Sequence, residues 1–135
     1  MTQADQLPDE ELRSLHRARW GDNRGAAFFG MLRTLLDAGC AELFTARTGD
    51  GQLAAAQLDI LGTTTRHFYY TASDRALASG AGTAVLGASW ERFAESHTQK
   101  VYSFGRGADR YKYAFATGCQ ELFELRGFLG PHEAP

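Results

Sequence analysis

Three strand-like segments follow one another between residues 41 and 73, and they constrain the fold more than any other feature of the sequence. The first, AELFTAR, is separated from the second, LAAAQLDILG, by TGDGQ, which is typical of a hairpin turn. The third, TTTRHFYYTAS, is rich in aromatic and β-branched residues, which favour strands. Because short turns join antiparallel neighbours, the pattern predicts a three-stranded antiparallel meander.

Two helices are predicted before the meander. LPDEELRSLHRARW should form the first, with Asp9 as its cap and with Leu12, Leu15 and Arg19 on one face. NRGAAFFGMLRTLLDAG should form the second and end at Gly39. Its predicted apolar stripe has the 3.6-residue spacing of a helix face and consists of Phe28, Leu32, Leu35 and Leu36.

Helices and strands alternate after the meander. Leu86, Trp90, Phe93 and His97 recur at helical spacing, which predicts a helix from Gly82 to His97. A short strand, KVYSFG, a short helix, ADRYKYAFATG, and a last strand, QELFEL, should follow. The unit from His67 to Phe104 is then one parallel strand–helix–strand crossover. The sequence therefore predicts an α+β fold, with a mixed sheet and helices on both faces.

The length of 135 residues and a hydrophobic content of 44% fit one globular domain. We expect a domain spanning residues 1–135, with an ordered core at 7–126 and a loose tail at 127–135. A net charge of −2 argues against a nucleic-acid binder, and no apolar run is long enough for a membrane span. The N-terminal segment lacks signal-peptide features, so we expect a cytoplasmic protein. Cys40 and Cys119 show no metal-like spacing, and we expect buried, reduced thiols and no metal site.

The order of elements resembles the GNAT acyltransferase fold without its first strand. GDGQLAAAQLDILG, RHFYYTAS, SGAGTAVLGASWERFAES and KVYSFGRGADRYKYAF look like the CelD-like (cellulose-biosynthesis-accessory) acetyltransferase subgroup. The more distant Fem-type aminoacyl transferases share the layout. The resemblance extends from Leu12 to Leu125. In the CelD-like family the domain usually follows another GNAT-like lobe, which this chain does not contain.

The resemblance implies an acyl-CoA-dependent N-acyltransferase, in which an amine attacks the thioester directly. The co-substrate would be acetyl-CoA or another acyl-CoA, and the acceptor a small amine. One alternative is a catalytically inactive GNAT-like module used for assembly or as a partner lobe. Another is a Fem-like enzyme that uses aminoacyl-tRNA, which the net charge of −2 disfavours. Exposed strand edges favour a homodimer, unless a second GNAT-like lobe is the partner.

ASGAGTA, residues 78–84, is the first candidate binding segment. Glycines let backbone N–H groups approach a ligand closely, and a helix start favours anions. The resemblance assigns the CoA diphosphate to a loop formed by Gly80, Ala81, Gly82 and Thr83, although the usual basic or amide residue is Leu77 here and Arg75 lies two positions too early. It also implies that the strand containing Tyr70 lies along the pantetheine arm.

SFGRGADRYKYAF, residues 103–115, is the second candidate segment. Gly105 should let the chain turn beside a ligand. GNAT enzymes commonly place a tyrosine on the following helix to protonate the leaving thiolate, and register alone does not choose between Tyr111 and Tyr113. In the CelD-like pattern the Tyr-Lys pair recurs, which favours Tyr111 as acid and Lys112 as charge stabiliser. Arg106 is a candidate phosphate ligand.

No general base stands out in the sequence. Gln57 and Asp59 are predicted on a polar face of the second meander strand, and Glu42 and Thr45 on the first, and a solvated sheet face is the favoured interpretation for all of them. The histidines, such as His97, are expected to pack or cap.

Overall fold

The computed structural model describes residues 2–105, Lys112, Thr117 and Gly118. Within residues 2–105 it contains five strands and three helices, and the predicted α+β fold class is confirmed. The predicted short helix and last strand lie outside the described residues, apart from Lys112 and two positions after it. The elements, in chain order, are β1 Thr2–Ala4, α1 Asp9–Trp20, α2 Ala26–Asp37, β2 Ala41–Arg47, β3 Leu53–Leu61, β4 Thr65–Ser73, α3 Ala81–Glu95 and β5 Val101–Ser103.

One mixed sheet has the strand order β1-β2-β3-β4-β5. The first four strands are antiparallel neighbours, and β5 pairs with β4 in parallel. The predicted meander is β2–β3–β4, and the predicted parallel crossover is β4–α3–β5. The expectation that the first GNAT strand is absent is wrong, because Thr2–Ala4 pairs with β2. Three residues are too few to show the two-residue alternation by which strands are recognised.

The helices cover the sheet on both faces. On one face α1 and α2 bury an apolar cluster, whereas α3 covers the other face. The first cluster includes Leu12, Leu15, Phe29, Leu32, Leu43 and Leu58. The predicted face of α1 is partly wrong, since Arg19 is exposed and His16 is buried. In α2 the buried aromatic residue is Phe29, and the predicted Phe28 is half-buried beside the cluster.

Several other expectations need correction. Pro8, not Asp9, is the N-cap residue of α1, and Asp9 lies in the first turn, where it pairs with Arg13 and Arg33. The helix predicted at 82–97 is observed at Ala81–Glu95, so each end differs by at most two residues. Cys40 is exposed, so the prediction of a buried thiol is wrong there, and Cys119 lies outside the described residues. None of the helices in the described part of the chain has the length and apolarity needed to span a bilayer.

A buried ionic network lies between the sheet and α3. The Arg66 guanidinium donates from Nη1 to Asp59 Oδ2 at 2.9 Å and from Nη2 to Glu42 Oε1 at 2.7 Å. Arg92 on α3 donates to the second Glu42 oxygen at 3.2 Å, and Gln99 accepts from Arg66 Nε at 3.1 Å. Asp59 and Arg66 are 0% and 2% exposed. Each buried charge therefore has an opposite charge within hydrogen-bond distance, which is the condition for burying it at all.

Ser89 and Tyr102 extend this network to α3 and β5. Ser89 Oγ donates to Asp59 Oδ2, and it lies 2.7 Å from the Tyr102 hydroxyl. Burial, together with the nearby Asp59 carboxylate, raises the pKa of Tyr102, so its hydroxyl stays protonated and donates to Ser89. Polar contacts thus join β2, β3, β4, β5 and α3 at one place.

The network corrects the prediction of a solvated polar face. Gln57 and Asp59 do share a face of β3, but α3 covers it, and both side chains are 0% exposed. Glu42 faces the network, whereas Thr45 has the opposite parity on β2 and is buried. The two β2 residues therefore do not lie on one face as predicted.

Substituting Arg66 with methionine should destabilise the fold by about 3–5 kcal/mol, because Asp59 would keep a buried charge without its cation. Arg47→Met is the matched control, since Arg47 pairs with Glu11 at the exposed surface and should cost less than about 1 kcal/mol. Urea denaturation measures both free energies. Adding Asp59→Asn to Arg66→Met should recover part of the loss, and equal costs for the two single variants would contradict the prediction.

Candidate active site

A β-bulge in β4 lies at the centre of the candidate site. Leu58 of β3 pairs with Tyr70, but the next residue, Asp59, pairs with Phe68, so Tyr69 is an extra residue in β4. Tyr69 is exposed on the bulge, and Tyr70 is buried on the face covered by α1 and α2. A bulge bends its strand and increases the local twist, and bulges are common beside active sites.

The pairing between β4 and β5 ends just before the bulge. Their parallel pairing covers only Thr65–Val101, Arg66–Tyr102 and His67–Ser103. After β5 the chain reaches Gly105, which has φ +78°, and a side chain there would begin 3.5 Å from the Phe68 carbonyl oxygen. The chain after Gly105 lies outside the described residues, so the turn expected there stays a prediction. Within the described residues, the edge of β4 from Phe68 to Ser73 has no strand partner on this side.

This open edge forms the floor of a groove of about 1160 Å³. The C-terminal end of α1 forms one wall, with Ala18, Arg19 and Trp20. The loop at 74–80 and the first turns of α3 form the other wall, and Gln57 reaches the groove from β3. The groove runs along the length of the unpaired strand edge, from the start of α3 to the point where β4 and β5 separate.

The start of α3 presents backbone N–H groups to one end of the groove. Gly80 precedes the helix, which begins at Ala81, and has φ +82° in the left-handed region. Glycine adopts this conformation more readily than other residues. The first helical N–H groups have no intrahelical partner, and the first turn of α3 contains no acidic residue. A side chain at Gly82 would begin 3.2 Å from Ser73 Oγ, so this turn lies close against β4. The arrangement suits an anionic group.

The structure brings four predicted binding residues together in this groove, namely Gly80, Ala81, Gly82 and Thr83. It also shows that Arg75 and Arg19 line the groove, although sequence spacing argued against Arg75 and placed Arg19 on one face of α1 with Leu12 and Leu15. Leu77, which occupies the usual basic position, is 40% exposed. The loop at 74–80 thus supplies a cation from an unusual position.

Trp20 occupies part of the open strand edge. Its indole Nε1 donates to the Thr71 carbonyl oxygen at 2.8 Å, while the Arg19 guanidinium lies 3.9 Å from the centre of the indole ring. The side chain of Trp20 is nevertheless exposed, with 43% of its surface accessible. Sequence reasoning missed this contact, because a tryptophan at the last position of a helix carries no signal of which strand it reaches.

Tyr70 is the predicted binding residue whose side chain does not face the groove. Its hydroxyl lies 2.8 Å from His16 Nδ1, and His16 Nε2 lies 2.7 Å from Asn23 Oδ1. Because the amide oxygen only accepts, Nε2 carries the proton and Nδ1 accepts from the Tyr70 hydroxyl. Burial raises the pKa of Tyr70, which keeps this hydroxyl protonated. The side chain joins α1 to β4.

Of the second predicted segment, the structure describes residues 103–105 and Lys112. Lys112 has helical conformation, and 9% of its surface is exposed. Arg106, Tyr111 and Tyr113 lie outside the described residues. In the described part of the chain, no group of three histidine, cysteine, aspartate or glutamate side chains could hold a metal ion.

The sequence matches the family model described as the acetyltransferase (GNAT) domain over residues 3–113. No curated protein matches it. A probable acetyltransferase of known structure is similar with a TM-score of 0.69 and 11% identity, over 96% of this chain and 97% of that chain.

Two other similar structures carry more specific names. The ribosomal-protein-alanine N-acetyltransferase of Brucella melitensis biovar Abortus 2308 has a TM-score of 0.66 and 16% identity, over 94% of this chain and 98% of that chain. An aminoglycoside acetyltransferase from an uncultured soil metagenomic sample, in complex with sisomicin, has a TM-score of 0.63 and 16% identity, over 90% and 88% of the two chains. At these identities the likeness establishes the fold alone.

Proposed function

The chain belongs to the GNAT acetyltransferase family, and we propose that it transfers an acetyl or other acyl group from coenzyme A to a small amine. One observation carries this proposal: a helix N-terminus, an unpaired strand edge and the end of the β4–β5 pairing follow one another along a single groove. Those three features match, in order, the diphosphate, the amide-containing arm and the thioester of an acyl-CoA.

The diphosphate would bind at the start of α3. Free N–H groups around Gly82 and Thr83 donate to phosphate oxygens, and the helix dipole adds to the attraction. Arg75 and Arg19 line the same groove and supply positive charge. We place Arg106 in this role as well, from its position in the sequence beside Gly105.

The pantetheine arm would lie along β4 as an added strand. Its amides would exchange hydrogen bonds with the unpaired backbone groups between Phe68 and Ser73, as an extended peptide does at a sheet edge. The Thr71 carbonyl already accepts from Trp20. An arm amide that uses this carbonyl would therefore compete with the indole N–H.

Acyl transfer would take place where β4 and β5 separate. The amine nitrogen forms a bond to the thioester carbonyl carbon, the C–S bond then breaks, and the amine proton is lost to a base that the sequence does not identify. We assign the proton delivered to the departing thiolate to Tyr111, with Tyr113 as the alternative. Lys112 would stabilise the oxyanion, and its nine-tenths burial supports a role away from bulk solvent.

Gly82→Glu should abolish CoA binding, because it places a bulky carboxylate where the diphosphate would lie, and its Cβ would already be 3.2 Å from Ser73 Oγ. Gly87→Glu is the matched control on the same helix, since Gly87 is exposed and a side chain there meets nothing within 4 Å. Isothermal titration calorimetry with CoA measures both. Equal affinity in the two variants, or no heat with the unmodified protein at millimolar CoA, would contradict the proposal.

Trp20→Phe should strengthen CoA binding by about two- to tenfold, because it removes the N–H that competes for the Thr71 carbonyl, a contact of about 1 kcal/mol. The chain has two tryptophans, so a Trp90→Phe background isolates Trp20. In that background, CoA should change the emission of Trp20 with the same affinity that calorimetry gives. Tenfold weaker binding by Trp20→Phe would show that the indole holds the ligand instead.

Tyr111→Phe and Lys112→Ala should each lower turnover at least about tenfold, equivalent to about 1.4 kcal/mol of barrier. The measurement is thiol release from acetyl-CoA with a panel of primary amines. The panel includes sisomicin and an alanine-terminated peptide, since two similar structures carry those names. If only Tyr113→Phe lowers turnover, Tyr113 and not Tyr111 is the general acid. CoA binding without turnover of any amine would favour the inactive, partner-lobe interpretation.

A further inference from the structure

Gln57 lines the groove, and it combines complete burial with an unsatisfied polar atom. The residue is 0% exposed, it lines the groove, and its Oε1 has no hydrogen-bond partner. Buried side-chain oxygens are rarely left without a partner, and each exception needs an explanation. Sequence analysis placed Gln57 on a solvated face, where the question would not arise.

The orientation of the Gln57 amide is set by its neighbours. Its Nε2 donates to Asp59 Oδ1 at 2.9 Å and to the Tyr102 hydroxyl at 3.1 Å. An ionised carboxylate accepts only, so the NH₂ end must face Asp59, and the oxygen end must point away from it. Flipping the amide would place its oxygen against the carboxylate.

The neighbours themselves cannot rotate to supply a donor. Asp59 is held by Arg66 and Ser89, and the Tyr102 hydroxyl already lies between Gln57 and Ser89. The nearby Thr71 hydroxyl donates to the Ala56 carbonyl. The ionic network therefore fixes the amide and presents its carbonyl oxygen as a rigid acceptor.

The position of Gln57 shows which part of a ligand would meet it. Gln57 pairs with Thr71 on β4. Thr71 lies between Ser73, which is beside the start of α3, and Phe68, which is beside Gly105 where the β4–β5 pairing has ended. An occupant that covers this stretch without a donor would leave the oxygen buried and unpaired, which is unfavourable. Such a cost selects for a ligand that carries a donor.

We propose that Gln57 is a substrate-binding residue whose Oε1 accepts a hydrogen bond from an N–H group of the molecule in the groove. The inference rests on the proposed function and names the donor by its chemistry: an amide N–H of the CoA arm, or the nitrogen of the acceptor amine. Gln57 touches the substrate, and Asp59 and Tyr102 are positioning residues that act through it.

Gln57→Met tests the proposal, because methionine keeps the length of the side chain and removes the acceptor. Gln99→Met is the matched control, since Gln99 contacts the same Arg66 but does not line this groove. The measurements are the dissociation constants of CoA and of adenosine 3′,5′-bisphosphate, which lacks the arm, and the KM of an amine that the protein acetylates.

If the arm is the donor, Gln57→Met weakens CoA binding about tenfold and leaves the nucleotide within twofold. If the amine substrate provides the N–H, both dissociation constants stay unchanged and the KM of the amine rises about tenfold. Gln99→Met should leave all three values within twofold. The proposal fails if Gln57→Met also leaves all three values within twofold. It also fails if the variant binds CoA and the nucleotide with equally reduced affinity, because that would indicate a distorted groove.

The unmodified protein gives a second measurement that does not need the variant to fold. The ¹³C resonance of the Gln57 side-chain carbonyl should shift on addition of CoA, or of CoA with the amine, and not with the nucleotide alone. An unchanged resonance with every ligand overturns the proposal. If the unmodified protein binds neither CoA nor the nucleotide, the proposed function itself is wrong. If wild type and Gln57→Met bind CoA equally, and the other values are also unchanged, only the role of Gln57 is wrong.

Discussion

The contact between Arg66 and Asp59 is the interaction on which the shape of the site depends. Arg66 and Tyr102 form the second of the three residue pairs between β4 and β5, and the pairing ends after the third, His67–Ser103. Through Ser89 and Tyr102 the same cluster holds α3 and β5 against the sheet. The strands therefore stay paired up to a defined point, and the groove begins where that pairing ends.

A network of this kind adds little stability compared with well-packed apolar side chains, but it is strongly directional. An aliphatic core at this position would tolerate small shifts of β5 or α3, whereas paired charges with short hydrogen bonds do not. The amide of Gln57 belongs to the same network and also lines the groove. The contacts that fix the strand separation thus also fix a group that the ligand meets.

Much of the fold could be predicted from sequence, because the meander, the long helix and the turn residues have local patterns. The glycine loop at 80–82 was found for the same reason. The network could not be predicted, since Gln57 and Asp59 alternate with apolar residues as on a solvated strand, and only the tertiary position of α3 reverses that interpretation. Sequence alone could not place Trp20, Arg19 and Arg75 on the groove, because they reach it through the relative positions of separate elements.

The wall formed by α1 differs physically from the wall formed by α3. His16 anchors the middle of α1 to β4 through Tyr70, so the helix itself is fixed. Trp20 follows at its last position, and Gly21 continues the chain with φ +79°, a conformation that suits glycine and ends the helix. The indole is exposed and held to the strand edge by one hydrogen bond, so it can leave Thr71 by side-chain rotation without moving α1. One wall can therefore yield to a ligand while the anion-binding wall and the floor of the groove keep their geometry.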